Sequence, residues 1–334
     1  MQVQLKELKD ICFNALHRLG YNIDHSETIF AEFLYGELTE RLGHGFETFA
    51  SKIEERSQSK VYAPKIEVKG YNIISIDGQQ NLGQLVSNTA VELAVKLARE
   101  KEIGIVTVTN MHPYCMPGFY AKKIVDNDLV GIVTNNCEAM VSAPRKIEPV
   151  TGTNPIAIGF PTEDIPYIID MATSESARGV VRDAKRNHTE IPEGIALDSE
   201  GNSTTNPFYV HSLIPFGRYK GFFGVNLVID LLLTTLCKSP VSSEISNPLQ
   251  RSYIFAAIDP TTSWKSVSAY KKRMSKILRN LKTDNKIDRY PHERAHQLYE
   301  SKIKLGVIEL DTNTIEKIKR IKTCSKKHEK VPTI

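Results

Sequence analysis

No stretch of this 334-residue chain is apolar for long enough to cross a bilayer. The longest candidate, Gly221 to Cys237, is interrupted by Asn226 and Asp230 and falls short of the roughly 20 residues a span needs. Met1 to Gly20 lacks the unbroken apolar core and small-residue cleavage site of a secretory signal, because Lys6, Lys9, Asp10 and Arg18 interrupt it. The expectation is an uncleaved cytoplasmic chain. Cysteine is sparse: Cys12, Cys115, Cys137, Cys237 and Cys324 are odd in number, scattered, and never form a C-x-x-C pair. That argues against a disulfide framework and against a zinc site, and no metal is expected. Neither G-x-G-x-x-G after a strand nor G-x-x-x-x-G-K-[ST] occurs, so no Rossmann fingerprint and no P-loop can be claimed. Internal repeats and low-complexity blocks are missing too.

What is present is ordinary for a soluble globular protein of one large or two moderate domains: 41% hydrophobic and 25% charged residues. The net charge of +4 hides an asymmetry. Residues 265–334 hold 19 Lys and Arg against 8 Asp and Glu, so the rest of the chain is net acidic. Nucleic-acid binding is not expected from this segment, since the charges lie along helix-like stretches without stacking aromatics or a nucleic-acid motif.

Leu5, Leu8, Cys12, Leu16 and Leu19 recur at helical spacing and stop at Gly20; Ile29, Phe30, Phe33, Leu34, Leu38 and Leu42 repeat the pattern up to Gly43. Asp24 with Glu27 reads as a capping box for the second helix. From about Tyr71 the texture alternates. A helix over 82–100 precedes strands over 103–108 and 129–133, with a short helix over 120–125 between them. Further strands are expected over 155–160, 167–172 and 253–258, with 221–236 as a buried helix. After Pro260 the chain returns to charged helices, roughly 266–281, 293–304 and 314–321. This is an α/β chain. Residues 1–70 together with 265–334 are expected to form a helical domain from both ends, and 71–264 a central mixed-sheet domain.

Three groups could carry chemistry. His112 follows directly on a predicted strand, where loops present functional groups from a rigid scaffold, and imidazole titrates near neutrality; a lone histidine there is as readily structural. Asp170-Met171-Ala172 ends a strand, where a carboxylate and backbone groups can meet hydroxyls. Gly217 and Lys220-Gly221 precede a helix whose N-terminus favours phosphate, although both arrangements are also common turn chemistry.

The phrases Gly152-Thr153-Asn154-Pro155-Ile156-Ala157, Ile169-Asp170-Met171-Ala172-Thr173-Ser174 and Pro215-Phe216-Gly217-Arg218-Tyr219-Lys220-Gly221, in this order, resemble the malate/L-lactate dehydrogenase type 2 family. Its members are nicotinamide-dependent oxidoreductases, including sulfolactate, ureidoglycolate and ketimine-acid enzymes. Weaker echoes run from near residue 36 to near residue 320. The resemblance implies a non-Rossmann fold binding NADH or NADPH, a homodimer with active sites at the subunit interface, and a small 2-oxo acid, cyclic imine or related substrate. It implies His112 as the catalytic proton donor, in a loop that leads to Gly118 and Tyr120. It implies cofactor contact at Asp170, Met171, Ala172, Gly217, Arg218 and Lys220, and at His292 and Glu293 in a turn that is P-G-E-R in the family.

The chain departs from the pattern in several places. The family's S-H-G-x-x-R, with a tyrosine four residues further on, falls on Gly43, His44, Gly45, Thr48 and Lys52, so the arginine that grips a planar carboxylate is missing. His44, Gly45, Thr48 and Lys52 remain the candidate substrate residues, with Arg41, Lys52 or Arg145 as possible sources of the lost charge. Tyr114 stands where the catalytic loop usually has glycine. Arg145-Lys146-Ile147 interrupts a phrase with two glycines, Arg218 replaces a glycine, and so does His292. Two readings stay open: a reductase with an altered substrate, or a member that keeps the fold as a binding or scaffolding protein.

Overall fold

The computed structural model describes residues 1–41, 43–57, 61–217, 220–284 and 286–321. Near the start of the chain lie α1 (Leu5–Arg18), α2 (Ile23–Leu38) and α3 (Phe46–Arg56). α1 buries Leu8, Cys12, Ala15 and Leu16 on one stripe and gives way to Gly20 at φ +92°. The cap of α2 differs from the sequence expectation. Asn22, in extended conformation, accepts from the His25 N–H at 2.8 Å, and Asp24 sits inside the first turn. α3 was not anticipated, because its residues fall in the segment read as a substrate anchor.

The central sheet has seven strands, numbered here in chain order: β1 (Lys65–Val68), β2 (Ile73–Asp77), β3 (Ile103–Thr109), β4 (Val130–Asn135), β5 (Ile156–Phe160), β6 (Tyr167–Met171) and β7 (Tyr253–Ile258). Their spatial order is β1-β2-β3-β7-β4-β5-β6. Only β2 and β3 run parallel; every other neighbouring pair is antiparallel, so the sheet is mixed. α4 (Gly83–Lys101) and α5 (Pro117–Val125) cover one face, packing on Ile76, Val106, Val108, Val133 and Phe255. The other face meets α7 (Lys220–Cys237) through Ile229 and Leu233 against Ile105, Ile156, Ile254 and Ala256. The strand alternation of period two thus feeds both layers.

A second sheet of four short strands carries α6 (Arg178–Asn187), which was not anticipated; Val181 and Ala184 pack there on Val141, Ile195 and Leu213. After β7 come α8 (Val267–Thr283), α9 (Glu293–Leu305) and α10 (Thr312–Arg320). Ile308, Leu310, Ile315, Ile318 and Ile321 close the same core as Leu8, Leu16, Phe30, Phe33, Phe46 and Phe49.

α7 is not the buried helix expected from its composition. Asn226, Ile229, Asp230 and Leu233 face inward, while Phe222, Val225, Leu227, Val228, Leu231 and Leu232 are exposed. A helix apolar all round asks for cover on every side, and this chain supplies it on one. The inward side is polar as well as apolar. Asp230 accepts from the Ser242 hydroxyl at 2.8 Å, Ser242 reaches Asn154, and Asn154 donates to Asn226 Oδ1 at 2.9 Å. This network holds the segment between β4 and β5 and explains why the apolar run is broken by Asn226 and Asp230. Among the described residues no helix is long and apolar enough to cross a membrane.

Candidate active site

The loop from Asn110 to Met116 joins β3 to α5, and it is tied down along its length. Asn110 adopts φ +53° and donates to Asp77 Oδ1 at 2.7 Å. The His112 N–H donates to the carbonyl of Asn81 at 2.9 Å. The Pro113 carbonyl accepts from Arg56 of α3 at 3.1 Å. Gly83, opening α4, lies against the His112 carbonyl so closely that a Cβ there would collide with it. Tyr114 turns inward: its ring packs on Tyr120 and Tyr253, and its hydroxyl donates to Asn135 Oδ1 at 2.7 Å. A bulky residue in a glycine position therefore fills the core instead of the site. Cys115 and Met116 donate their N–H groups to Glu32 Oε1 at 2.9 and 2.8 Å.

Asp170, next to the end of β6, meets the same region. A Cβ on Gly118 would lie 2.5 Å from Asp170 Oδ2, and the Gly118 N–H donates to this carboxylate at the start of α5. Burial pushes the Asp170 carboxyl above the ordinary range, against the pull of Arg41 and the Gly118 N–H. A carboxylate at a helix N-terminus is well placed electrostatically. Tyr35 of α2 connects this point to the C-terminal helices: its ring packs at a tilt against Phe119 and Tyr299, and its hydroxyl lies 3.4 Å from His292 Nδ1. His292 lines a cavity of about 460 Å³ with Thr39, Glu40, Arg41, Arg289, Tyr290, Pro291, Arg294 and Ala295. Its Nε2 is buried without a hydrogen-bond partner, and burial, aided by Lys122, His296 and Arg41, depresses the imidazole to about 3.

The turn before α3 holds His44. Burial lowers its imidazole to about 4; Arg182 and Arg41 add to the effect and Asp183 opposes it, so the ring is neutral at neutral pH. Gly45 is the N-cap of α3. The Thr48 hydroxyl donates to the Gly43 carbonyl at 2.6 Å and is committed to the turn. Lys52 pairs with Glu55 at 2.6 Å; that pair stands near His112, whose charge helps Lys52 hold the Glu55 carboxyl low. The unforeseen guanidinium here is Arg182 of α6, with Nη2 3.4 Å from the Gly43 carbonyl. Its field also reaches Cys115. The only sequence signal for it is the basic spacing Arg178, Arg182 and Arg186.

The remaining candidates are more scattered. Met171 and Ala172 follow Asp170 and are half-buried. Gly217 adopts φ +70° and donates to Glu175 at 2.9 Å. Arg218 and the Lys220 side chain lie outside the described residues. Glu293 is buried, pairs with Lys282 at 2.7 Å and accepts from the Tyr290 N–H at 3.1 Å, a cap-like role in the turn before α9. Asp170, Met171, Ala172 and Gly217 do not line the cavity beside His292.

Known proteins share this fold. The sequence model of the malate/L-lactate dehydrogenase family matches residues 3–319. The chain belongs to that family. A malate/(S)-sulfolactate dehydrogenase of Methanothermus fervidus is 29% identical over 332 residues, covering 96% of this chain and 97% of the relative. A malate dehydrogenase of Pyrococcus horikoshii is 31% identical over 265 residues, 73% of each chain. The solved structure of sulfolactate dehydrogenase from Methanocaldococcus jannaschii superposes with a TM-score of 0.84 at 25% identity, covering 96% of both chains.

Membership of the malate/L-lactate dehydrogenase family makes two departures informative. Arg145 adopts φ +65° and His292 φ +80°, the left-handed region that suits glycine. The backbone of both turns is one that glycine would adopt without strain, although each now bears a large side chain.

Proposed function

We propose that the chain is an NAD(P)H-dependent oxidoreductase interconverting a hydroxy or amino acid with its 2-oxo or imine counterpart, with His112 as the proton donor to the reduced heteroatom. The observation that carries this reading is the convergence at the N-terminus of α5. The His112 loop, the Asp170 carboxylate and Glu32 of α2 all meet there. Relatives whose names specify NAD(+) or NADP(+) support the cofactor assignment.

The residues suit such a cofactor. The cavity beside His292 offers three guanidiniums, from Arg41, Arg289 and Arg294, and the orphaned Nε2 as a polar partner. Arg294 is shared with Glu40 at 2.7 Å. Asp170, Met171 and Ala172 would hold hydroxyl and amide groups, and His292 and the arginines phosphate. When bound, the nicotinamide supplies or accepts the hydride. The protein's own part is to donate or take a proton at the His112 imidazole, to offer the neutral His44 ring as a hydrogen-bond partner, and to orient the substrate.

For the anchor we favour Arg182 and Arg41, whose charges both act on His44, over the uncharged Thr48 and over Lys52, which Glu55 holds at 2.6 Å where Asp183 stands 3.4 Å from Arg182. Two guanidiniums beside His44 suit doubly anionic substrates such as malate or sulfolactate, the compounds named for the relatives. The residue 1–70 and 265–334 segments are read as one helical unit, except that β1 (Lys65–Val68) belongs to the central sheet, and 71–264 as the cofactor-binding one, on a sheet with a single parallel pair. A second copy of the chain is read as the cover for the exposed face of α7. That face carries no charge, which suits a self-complementary contact. The unpaired Cys12, Cys115, Cys137 and Cys237 suit a reducing, cytoplasmic setting.

Titration with NADH and NADPH, read by nicotinamide fluorescence, tests the reading, followed by assay of malate and sulfolactate oxidation. Micromolar binding with turnover is expected. Failure to bind either cofactor at millimolar concentration would instead favour a binding or scaffolding role.

A further inference from the structure

Glu32 is completely buried in the middle of α2, and among the described residues no cation lies within ion-pair distance of it. Burying a carboxyl group in this way is costly, and an apolar side chain would fill the space more cheaply. Its three close partners are all hydrogen-bond donors. Oε1 accepts from the backbone N–H groups of Cys115 and Met116 at 2.9 and 2.8 Å, and Oε2 accepts from Gln84 Nε2 of α4 at 2.7 Å.

The position of those two amides gives the arrangement its meaning. Cys115 and Met116 end the loop that bears His112, and Met116 is the N-cap of α5, with no side-chain cap of its own. One turn-edge further, Gly118 holds Asp170. Glu32 therefore reaches from the helical core, across the boundary between the two cores, to satisfy the helix end on which the candidate proton donor and the candidate cofactor carboxylate are both mounted.

We propose that Glu32 is a positioning residue, which fixes the His112 loop relative to Asp170 by clamping the Cys115 and Met116 amides. This rests on the reading of His112 as the proton donor. Tyr114 and Cys115 from the loop, Tyr120 and Lys123 from α5, and Gln84 from α4 face the group. Burial raises the Glu32 carboxyl to about 7, against the lowering effect of its hydrogen bonds, so its protonation changes in the neutral range. Glu32→Gln retains an oxygen for both amides, and reversing the Gln84 amide provides the complementary acceptor. Glu32→Ala removes the clamp.

The test compares the full-length protein with Glu32→Ala, Glu32→Gln and His112→Ala. Three readouts are followed: hydrogen exchange at the Cys115 and Met116 amides, NADH affinity by fluorescence, and malate or sulfolactate turnover across pH. In Glu32→Ala the two amides should lose protection and kcat should fall by about 10- to 100-fold, a loss of the size that small misplacement produces. NADH affinity should stay within about twofold, as for a variant that loses only transition-state interactions. Glu32→Gln should restore both and remove any inflection near neutrality that the carboxyl contributes. Amides as well protected in Glu32→Ala as in the parent would overturn the proposal. So would a Glu32→Gln variant no better than Glu32→Ala, or a kcat loss matched by lost NADH binding. Full turnover in His112→Ala would remove the proton-donor reading alone. The clamp would then stand or fall on amide exchange, which needs no substrate.

Discussion

The guanidinium of Arg182 lies 3.4 Å from the carbonyl oxygen of Gly43, one residue before His44, and so brings a charge from α6 to the turn where Thr48 supplies none. If this group grips the substrate, Arg182→Ala should raise KM for malate or sulfolactate by about 10-fold or more, with NADH affinity unchanged. Arg182→Lys should recover only part of the loss, since a point charge cannot replace a planar fork. Unchanged steady-state kinetics in Arg182→Ala would move the anchor to Arg41.

His112→Ala should lower turnover by about 10²-fold or more while cofactor binding persists. The backbone N–H of His112, bonded to the Asn81 carbonyl, remains in this variant, as do the Asn110, Cys115 and Met116 bonds of the loop. Circular dichroism and NADH fluorescence should therefore match the parent.

The exposed row on α7 gives a hydrodynamic prediction. Val228→Glu together with Leu231→Glu places two carboxylates on a face that is now apolar, where both side chains are more than half exposed. Sedimentation should show the parent as a dimer and this variant as a monomer with an intact fold. A monomeric parent would discard the self-association reading.

His44 and His292 predict acid sensitivity. Both imidazoles titrate well below their ordinary value in the folded chain, at about 4 and about 3. Between those values and 6.5 the unfolded chain binds protons that the folded one refuses. Above pH 6.5 neither ring carries a charge penalty, and stability is lost as the pH falls below that value. Glu32 acts in the opposite sense: with its carboxyl raised to about 7, its contribution is lost as the pH rises from 4.5 through 7. Thermal melts should show Glu32→Gln flattening the rise-side loss, and His292→Gly weakening the acid-side one.

His292→Gly should also stabilise the chain at pH 7.5, since a non-glycine residue in left-handed conformation costs about 1 kcal/mol. Arg145→Gly, exposed and without an imidazole, isolates the backbone part of that gain. A lower Tm in both variants would show that the side chains compensate the strain.

The helices with clean apolar spacing, such as Leu5–Arg18 and Gly83–Lys101, were legible in the sequence, as were the β-rich strands around Ile103–Thr109 and Tyr253–Ile258. The helix Arg178–Asn187 was hidden, because only Val181 and Ala184 of its ten residues are buried and its other faces are charged or small. Asn22 was overlooked as a cap because Asp24 and Glu27 offered the same spacing two residues later. Of the proposed site residues, His112 is suggested by the strand before it and Asp170 by its place near the end of a strand. Glu32 and Arg182 are not suggested in this way. Each comes from an element remote in sequence, and only the packed fold brings them to the loop and to the His44 turn.

Apart from Leu82, the buried residues of the helical core come from 3–53 and 308–321, with the whole central sheet between them in the chain. During synthesis from the N-terminus the sheet can assemble while α1, α2 and α3 still wait for Ile308, Ile315 and Ile318. Contacts of such long sequence separation are also slow to form. Glu32 and His44 belong to this late-closing half, whereas His112 and Asp170 belong to the early one. Refolding followed by stopped flow should therefore recover sheet structure before turnover, with competence arriving only when the ends of the chain find each other.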